Sequence, residues 1–267
     1  MSRTFLATLH FDGTAFVGWQ RQSAGRSVQA EFEQVLERLF GRRTAAHAAG
    51  RTDAGVHAIG LPISFPAPIK WTPDALRRAL NALLPNDCWV ASVRTMQTGF
   101  HARRSALARR YRYVIGTDDG AASPFRRPFE WALGRPLDDA ALGAAASLFR
   151  GEHDFRAFAA KGEPKPHYDC TVTTATWEPR EGNRGVTFHV EANRFLHHMV
   201  RMMVGTMVDV GLGRRPVADV ERLLDRRDNQ ETSPPAPPQG LYFVAAAYPE
   251  DCYADVTGDP NAALQSA

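Results

Sequence analysis

Apolar positions along the chain switch repeatedly between a period of two and a period near 3.6, the spacings of strands and of helices. Thr4 to Phe11 alternates and predicts a strand, with Asp12-Gly13 as the turn that ends it. From Val28 to Phe40 the apolar residues fall at 28, 32, 35, 36, 39 and 40, one face of a helix capped by Ser27. Leu61 to Phe65 predicts a strand in which Pro62 suits only an edge or a bulge. Thr72-Pro73 sets a cap and a first-turn proline ahead of a helix from Asp74 to Leu84, which Pro85 stops. Two more strands are predicted, Trp89 to Met96 and Arg109 to Ile115. The polar, Gly/Pro-containing stretch Gly116 to Pro128 then predicts a linker between lobes.

The second half repeats this style without detectable sequence repetition. Asp138 caps a predicted helix running to Phe149, and Cys170 to Trp177 with Val186 to Asn193 predicts a hairpin. Leu196 to Val210 and Val217 to Arg226 predict two helices, the first with Gly211 just past its end. Ser233 to Gln239 is a proline-rich loop, and Leu241 to Tyr248 a final buried strand. These elements imply an α+β fold with a largely antiparallel sheet in two similar lobes, residues 1–115 and 129–248. Residues 249–267 carry acids and no basic residue, and predict a mobile tail.

Composition narrows the class. At 267 residues, 44% hydrophobic and 23% charged, the chain can bury a sizeable core. No apolar run reaches membrane-span length and the N-terminus lacks a signal-peptide core, so a cytoplasmic protein is expected, with no membrane partner. Cys88, Cys170 and Cys252 are far apart, with no C-x-x-C pair, and read as reduced packing thiols rather than a disulfide framework or a zinc site. His197 and His198 read as part of a packed, Met-rich helix rather than as metal ligands. No P-loop, dinucleotide fingerprint or cysteine cluster is present, so no cofactor is expected.

The net charge of +3 argues only weakly for an anionic partner, but its distribution says more. Between Cys88 and Thr117 there is no Asp or Glu, while Arg94, Arg103, Arg104, Arg109, Arg110 and Arg112 all fall there with Tyr111 and Tyr113. Guanidinium forks suit phosphates and aromatic rings suit bases, so this segment predicts an RNA-facing surface. The chain favours Arg over Lys throughout, so the local lack of acids is the better signal.

The strongest candidate for chemistry is Asp53 in the octapeptide Arg51-Thr52-Asp53-Ala54-Gly55-Val56-His57-Ala58. A short strand from Ala45 to Gly50 would end at Arg51, and Asp-Ala-Gly predicts a turn with positive φ at Gly55. A carboxylate held there beside a cation stays ionised and suits nucleophilic or general-base work. The same spacing also serves structural ion pairs and plain turns, and spacing alone leaves both open.

The octapeptide resembles the catalytic signature of the TruA family of tRNA pseudouridine synthases. Further matches follow in Gly18-Trp19-Gln20-Arg21-Gln22, Phe100-His101-Ala102-Arg103, Arg110-Tyr111-Arg112-Tyr113, the run Asn193 to Arg201, and Gly240-Leu241-Tyr242. The resemblance implies a mixed sheet flanked by helices, two ferredoxin-like lobes around a central cleft, and a homodimer. It implies conversion of uridine to pseudouridine at positions 38, 39 and 40 of the tRNA anticodon stem-loop, without metal, cofactor or protein cofactor. By that resemblance Asp53 is the nucleophile, attacking ribose or base; Arg51 pairs with it and helps fill the gap of the flipped base; and Tyr111 stacks on the uracil. Arg21, Arg103, Arg104, Arg109 and Arg110 would contact the RNA. The chain departs from the family pattern at Leu61-Pro62 and at Arg194, neither of which touches the proposed nucleophile. A non-catalytic RNA-binding protein would explain the Arg/Tyr segment. A metal-dependent hydrolase would use Asp53, His57 and a distant His such as His101.

Overall fold

The computed structural model describes residues 1–160, 167–226 and 228–254. They divide into two units with bounds other than the expected lobes: Met1–Arg109 with the chain from Tyr242 onward, and Arg110–Leu241. In chain order the strands are β1 (Ser2–Phe11), β2 (His47–Ala48), β3 (His57–Pro68), β4 (Cys88–Met96), β5 (Ala108–Gly116), β6 (Trp131–Ala132), β7 (Gly151–Asp154), β8 (Asp169–Pro179), β9 (Gly185–Ala192) and β10 (Leu241–Ala247). The helices are α1 (Val28–Phe40), α2 (Pro73–Leu83), α3 (Asp139–Leu148), α4 (Met199–Gly211) and α5 (Ala218–Leu224). This is the α+β class with mostly antiparallel pairing that the periodicities predict.

In the first unit the strands run in the order β4-β1-β3-β10. Phe5, Ala7, Leu9 and Phe11 of β1 alternate into the core, where Phe65 of β3 meets Phe5 and Phe32 of α1 at ring distances of 6.4 and 5.5 Å. Both helices start where their caps predict: Ser27 accepts the Ala30 N–H and Thr72 the Ala75 N–H.

β3 is longer than the Leu61 to Phe65 strand expected, and Pro62 explains the shape around it. Leu9 pairs with Leu61 and His10 with Ile59, so Gly60 is the extra residue of a bulge. A Cβ on Gly60 would lie 2.0 Å from the Val244 carbonyl oxygen of β10, which fixes glycine there. On the opposite edge the Ala49 N–H donates to the Pro62 carbonyl at 2.9 Å, but proline has no N–H to return. β2 therefore stops at Ala48, shorter than the Ala45 to Gly50 strand predicted, and Arg109 Nε donates to the orphaned Ala49 carbonyl at 3.3 Å.

In the second unit the order is β5-β9-β8-β7, with β6 parallel to β5. Four-residue β7 was not predicted; its sequence Gly-Glu-His-Asp carries no apolar alternation. α4 starts at Met199, three residues later than the expected Leu196, because His198 turns left-handed at φ 62°. The proline-rich segment is strapped along α4: Arg201 Nε donates to the Ala236 carbonyl at 2.7 Å, and Ser233 Oγ to Asp209 Oδ2 at 2.7 Å. Gly205 admits it, since a Cβ there would lie 2.2 Å from the Pro234 carbonyl oxygen.

The stretch Gly116 to Pro128 is not a free linker. Arg126 donates to both oxygens of Asp118 at 2.7 and 2.8 Å, and buried Glu130 pairs with Arg126 at 2.8 Å and Arg180 at 2.6 Å. The chain after Pro249 also departs from a mobile tail at its start. The Gln97 N–H donates to the Cys252 carbonyl, the Ala254 N–H to that of Thr95, and Arg94 lies 4.0 Å over the Tyr253 ring. The remainder of the predicted tail, 255–267, lies outside the described residues.

Candidate active site

Asp53 is half-buried at the head of a tight turn closed by the Val56 N–H donating to the Asp53 carbonyl at 3.2 Å. Gly55 has φ 76°, the positive value read from the sequence. Arg51 is exposed, and Thr52 and Val56 on either side of the turn are buried. Two residues of the turn thus anchor in the core, and Asp53 between them is half-buried.

The segment Gly13 to Trp19 holds this turn from outside. The Trp19 N–H donates to the Thr52 carbonyl at 3.0 Å, and the Gly55 N–H to the Phe16 carbonyl at 3.2 Å. Gly18, at φ 104°, lies so close that a Cβ would sit 2.5 Å from the Thr52 carbonyl oxygen and 3.1 Å from the Asp53 carbonyl carbon. At Gly13 a Cβ would lie 2.0 Å from the Val56 carbonyl oxygen. Phe16 is anchored by Arg26, whose guanidinium lies 4.3 Å over its ring and pairs with Asp87 and Glu31. Hydrogen bonding to Asp87 first, and to Glu31, holds the Arg26 pKa above its ordinary value.

His57 closes the same assembly. It is 1% exposed, its Nδ1 accepts the Gly13 N–H at 2.9 Å, and its ring stacks on Tyr242 at 4.9 Å. Asp12 Oδ1 lies 3.3 Å from the same nitrogen but is held by the Thr14 N–H and hydroxyl. The sequence marks Gly18 only as part of a motif and Gly13 only as a turn after β1; contacts across some 40 residues leave no local signal of their place at the site.

The arginines separate into two kinds. Arg103 and Arg104 are exposed on a loop tied at several points. His101 Nδ1 accepts the Arg103 N–H at 3.1 Å, the Ala102 N–H donates to Ser64 Oγ at 3.0 Å, and Tyr248 donates its hydroxyl to the Ala102 carbonyl at 2.9 Å. His101 stacks on His47 at 4.6 Å, and burial, then the neighbouring His47 and Arg104, lower its pKa. Arg109, in contrast, donates to the carbonyls of Ala49, Ala106 and Arg103, so its fork braces this loop from within. Arg110 is bound to Glu191 at 2.9 and 3.1 Å, and Arg21 to Glu33 at 2.8 Å.

Tyr111 lies in β5, 8% exposed, with its ring edge-on to Phe195 at 5.0 Å. Phe195 belongs to the loop before α4, so six of the nine residues from Asn193 to Arg201 lie in that loop and three begin the helix. Of the two histidines that a metal-dependent hydrolase would use, His57 accepts the Gly13 N–H and His101 the Arg103 N–H, each at its Nδ1.

Residues 7–103 and 145–249, which include the Asp53 turn and the segment that holds it, match the family described as tRNA pseudouridine synthase. The chain belongs to that family, whose members are isomerases. It is similar to the tRNA pseudouridine synthase A of Myxococcus xanthus, 41% identical over 247 residues that cover 90% of each chain. It is also similar to the protein of that name from Geobacter sp. (strain M21), 39% identical with 93% of this chain and 100% of that one covered. The Streptococcus pneumoniae (strain Hungary19A-6) protein is 37% identical over 92% of this chain and 99% of its own.

Proposed function

We propose that the protein converts uridine to pseudouridine at positions 38, 39 and 40 of the tRNA anticodon stem-loop, with Asp53 as nucleophile. The observation that carries this reading is the half-buried Asp53 on a turn whose neighbours are bonded into the core and to the Gly13–Trp19 segment. A carboxylate with its backbone fixed in advance loses little freedom on reaching an attacking geometry.

A stacked base hides its glycosidic bond, so the uridine must first leave the stack. Exposed Arg51 is suited to occupy the gap, and Tyr111 to lie against the uracil. Asp53 then forms a transient adduct with ribose or base. The N1–C1′ bond breaks, the uracil turns, and C5 joins C1′. The proton lost from C5 is matched by one taken up at N1, so no redox partner, metal or other cofactor is required. Metal-stripped protein is therefore expected to release tritium from tRNA labelled at uridine C5. No release above the blank would contradict the reading.

The RNA surface is drawn most strongly by Arg103 and Arg104, which are exposed. Arg21, Arg109 and Arg110 make it up with their carbonyl and carboxylate partners. Arg103→Ala and Arg104→Ala are each expected to reduce the slope of log K against log salt by about one. An unchanged slope in both would remove this loop from the interface.

The protein is proposed to act in the cytoplasm as a homodimer in which one tRNA touches both subunits. Mixing Asp53→Ala subunits with subunits carrying Arg103→Ala and Arg104→Ala is then expected to restore part of the activity lost in each parent. A mixture no more active than its parents, or light scattering from a monomer, would contradict shared binding.

A further inference from the structure

Within the octapeptide, His57 has the least obvious use. It is almost fully buried, it is four residues from Asp53, and as a metal ligand it is already spoken for. Its position nevertheless joins three separate parts of the unit. The backbone of His57 begins β3 opposite Tyr242 of β10, its ring stacks on Tyr242, and its Nδ1 receives the N–H of Gly13.

Gly13 is the near end of the segment that clasps the Asp53 turn, and Trp19 the far end. At the far end the clasp is the Trp19 to Thr52 hydrogen bond. At the near end the Gly13 α-carbon is pressed against the Val56 carbonyl so closely that no side chain fits, and its amide points to the imidazole. A buried amide without an acceptor costs about 1–3 kcal/mol. Without Nδ1, then, Gly13 would turn its N–H elsewhere and the segment would shift against the turn.

We infer that His57 is a positioning residue for the reaction: its neutral, Nε2-protonated imidazole pins Gly13 and thereby fixes the backbone that carries Asp53. The tautomer follows from the donor: the Nδ1 that accepts the Gly13 N–H at 2.9 Å carries no proton, and Asp12 Oδ1, 3.3 Å from that nitrogen, accepts from the Thr14 N–H and hydroxyl instead. The role depends on the acceptor at the Nδ1 position and on the flat ring against Tyr242, and no contact with RNA is involved. This inference rests on Asp53 being the reacting group.

The acceptor can be separated from the ring. His57→Asn places an amide oxygen near the Nδ1 position, while His57→Phe keeps the stacking ring and removes the acceptor. Single-turnover rates at saturating tRNA are expected to fall about a hundredfold in His57→Phe, the scale of an ångström-sized misplacement. His57→Asn is expected to recover most of that loss, and tRNA affinity to stay within about twofold in both. A wild-type rate in His57→Phe, equal loss in the two variants, or a parallel loss of tRNA affinity would overturn the inference.

The unaltered protein offers a test that does not depend on either variant folding. Long-range proton–nitrogen spectra of the His57 ring are expected to show the Nε2–H tautomer at neutral pH. A proton on Nδ1 would overturn the inference. Asp53→Asn measured alongside keeps the two claims apart. An active Asp53→Asn removes the underlying reading, whereas an inactive Asp53→Asn beside a fully active His57→Phe removes only the role of His57.

Discussion

Asp53→Asn is expected to abolish turnover, by more than about a thousandfold, while leaving tRNA affinity and thermal stability close to those of the parent. The amide has nearly the shape of the carboxylate, and the turn is held by backbone groups of Thr52, Asp53 and Gly55 that the substitution leaves in place. What disappears is the charge and with it the nucleophile. Loss confined to the chemical step is the pattern expected when an interaction operates only as bonds change. Residual activity above about a thousandth of the parent, measured by tritium release, would contradict a covalent role for Asp53.

Gly18→Ala is expected to damage both the fold and the site. The new methyl would stand 2.5 Å from the Thr52 carbonyl oxygen, and φ 104° is strained for any side chain. Neither neighbour is a flexible side-chain end, so the backbone that carries Asp53 must move. A cost of about 3 kcal/mol follows from the clash and the strained dihedral together. At roughly 2–4 °C per kcal/mol the melting temperature would fall by about 6–12 °C. Protein that still folds is expected to turn over about a hundredfold more slowly. Gly41→Ala provides the comparison, because Gly41 also has positive φ, 67°, but nothing within 4 Å of the new methyl. That variant is expected to lose about 1 kcal/mol and no activity. Equal behaviour of the two in calorimetry and in rate would show that the close approach at Gly18 is unimportant.

Local chemistry was the legible part of this fold. α1, α2 and α3 start at Ser27, Thr72 and Asp138 because a capping side chain satisfies an amide within three residues, and such signals survive in the sequence. The sequence predicts too short a β3 because Pro62 and Pro66 interrupt it, and what makes them tolerable is a bulge and a two-residue partner strand elsewhere in the chain. The sequence predicts too early a start for α4 because Leu196 falls in with the apolar positions that follow; the left-handed turn at His198 is a backbone fact that this pattern does not encode. At the site, the turn around Asp53 was readable from Gly55, but the grip of Gly13, Gly18 and His57 was not. Similarly, a run of arginines without acids says nothing about direction. Arg103 and Arg104 point outward, Arg109 braces carbonyls, and Arg110 finds Glu191, 81 residues away.

The most direct test of the central claim is to incubate the protein with unmodified tRNA and map pseudouridine in the product. The account predicts pseudouridine at positions 38, 39 and 40 where the tRNA carries uridine there, formed without added metal or cofactor and absent with Asp53→Asn. An unmodified product, or pseudouridine confined to sites outside the anticodon stem-loop, would contradict it.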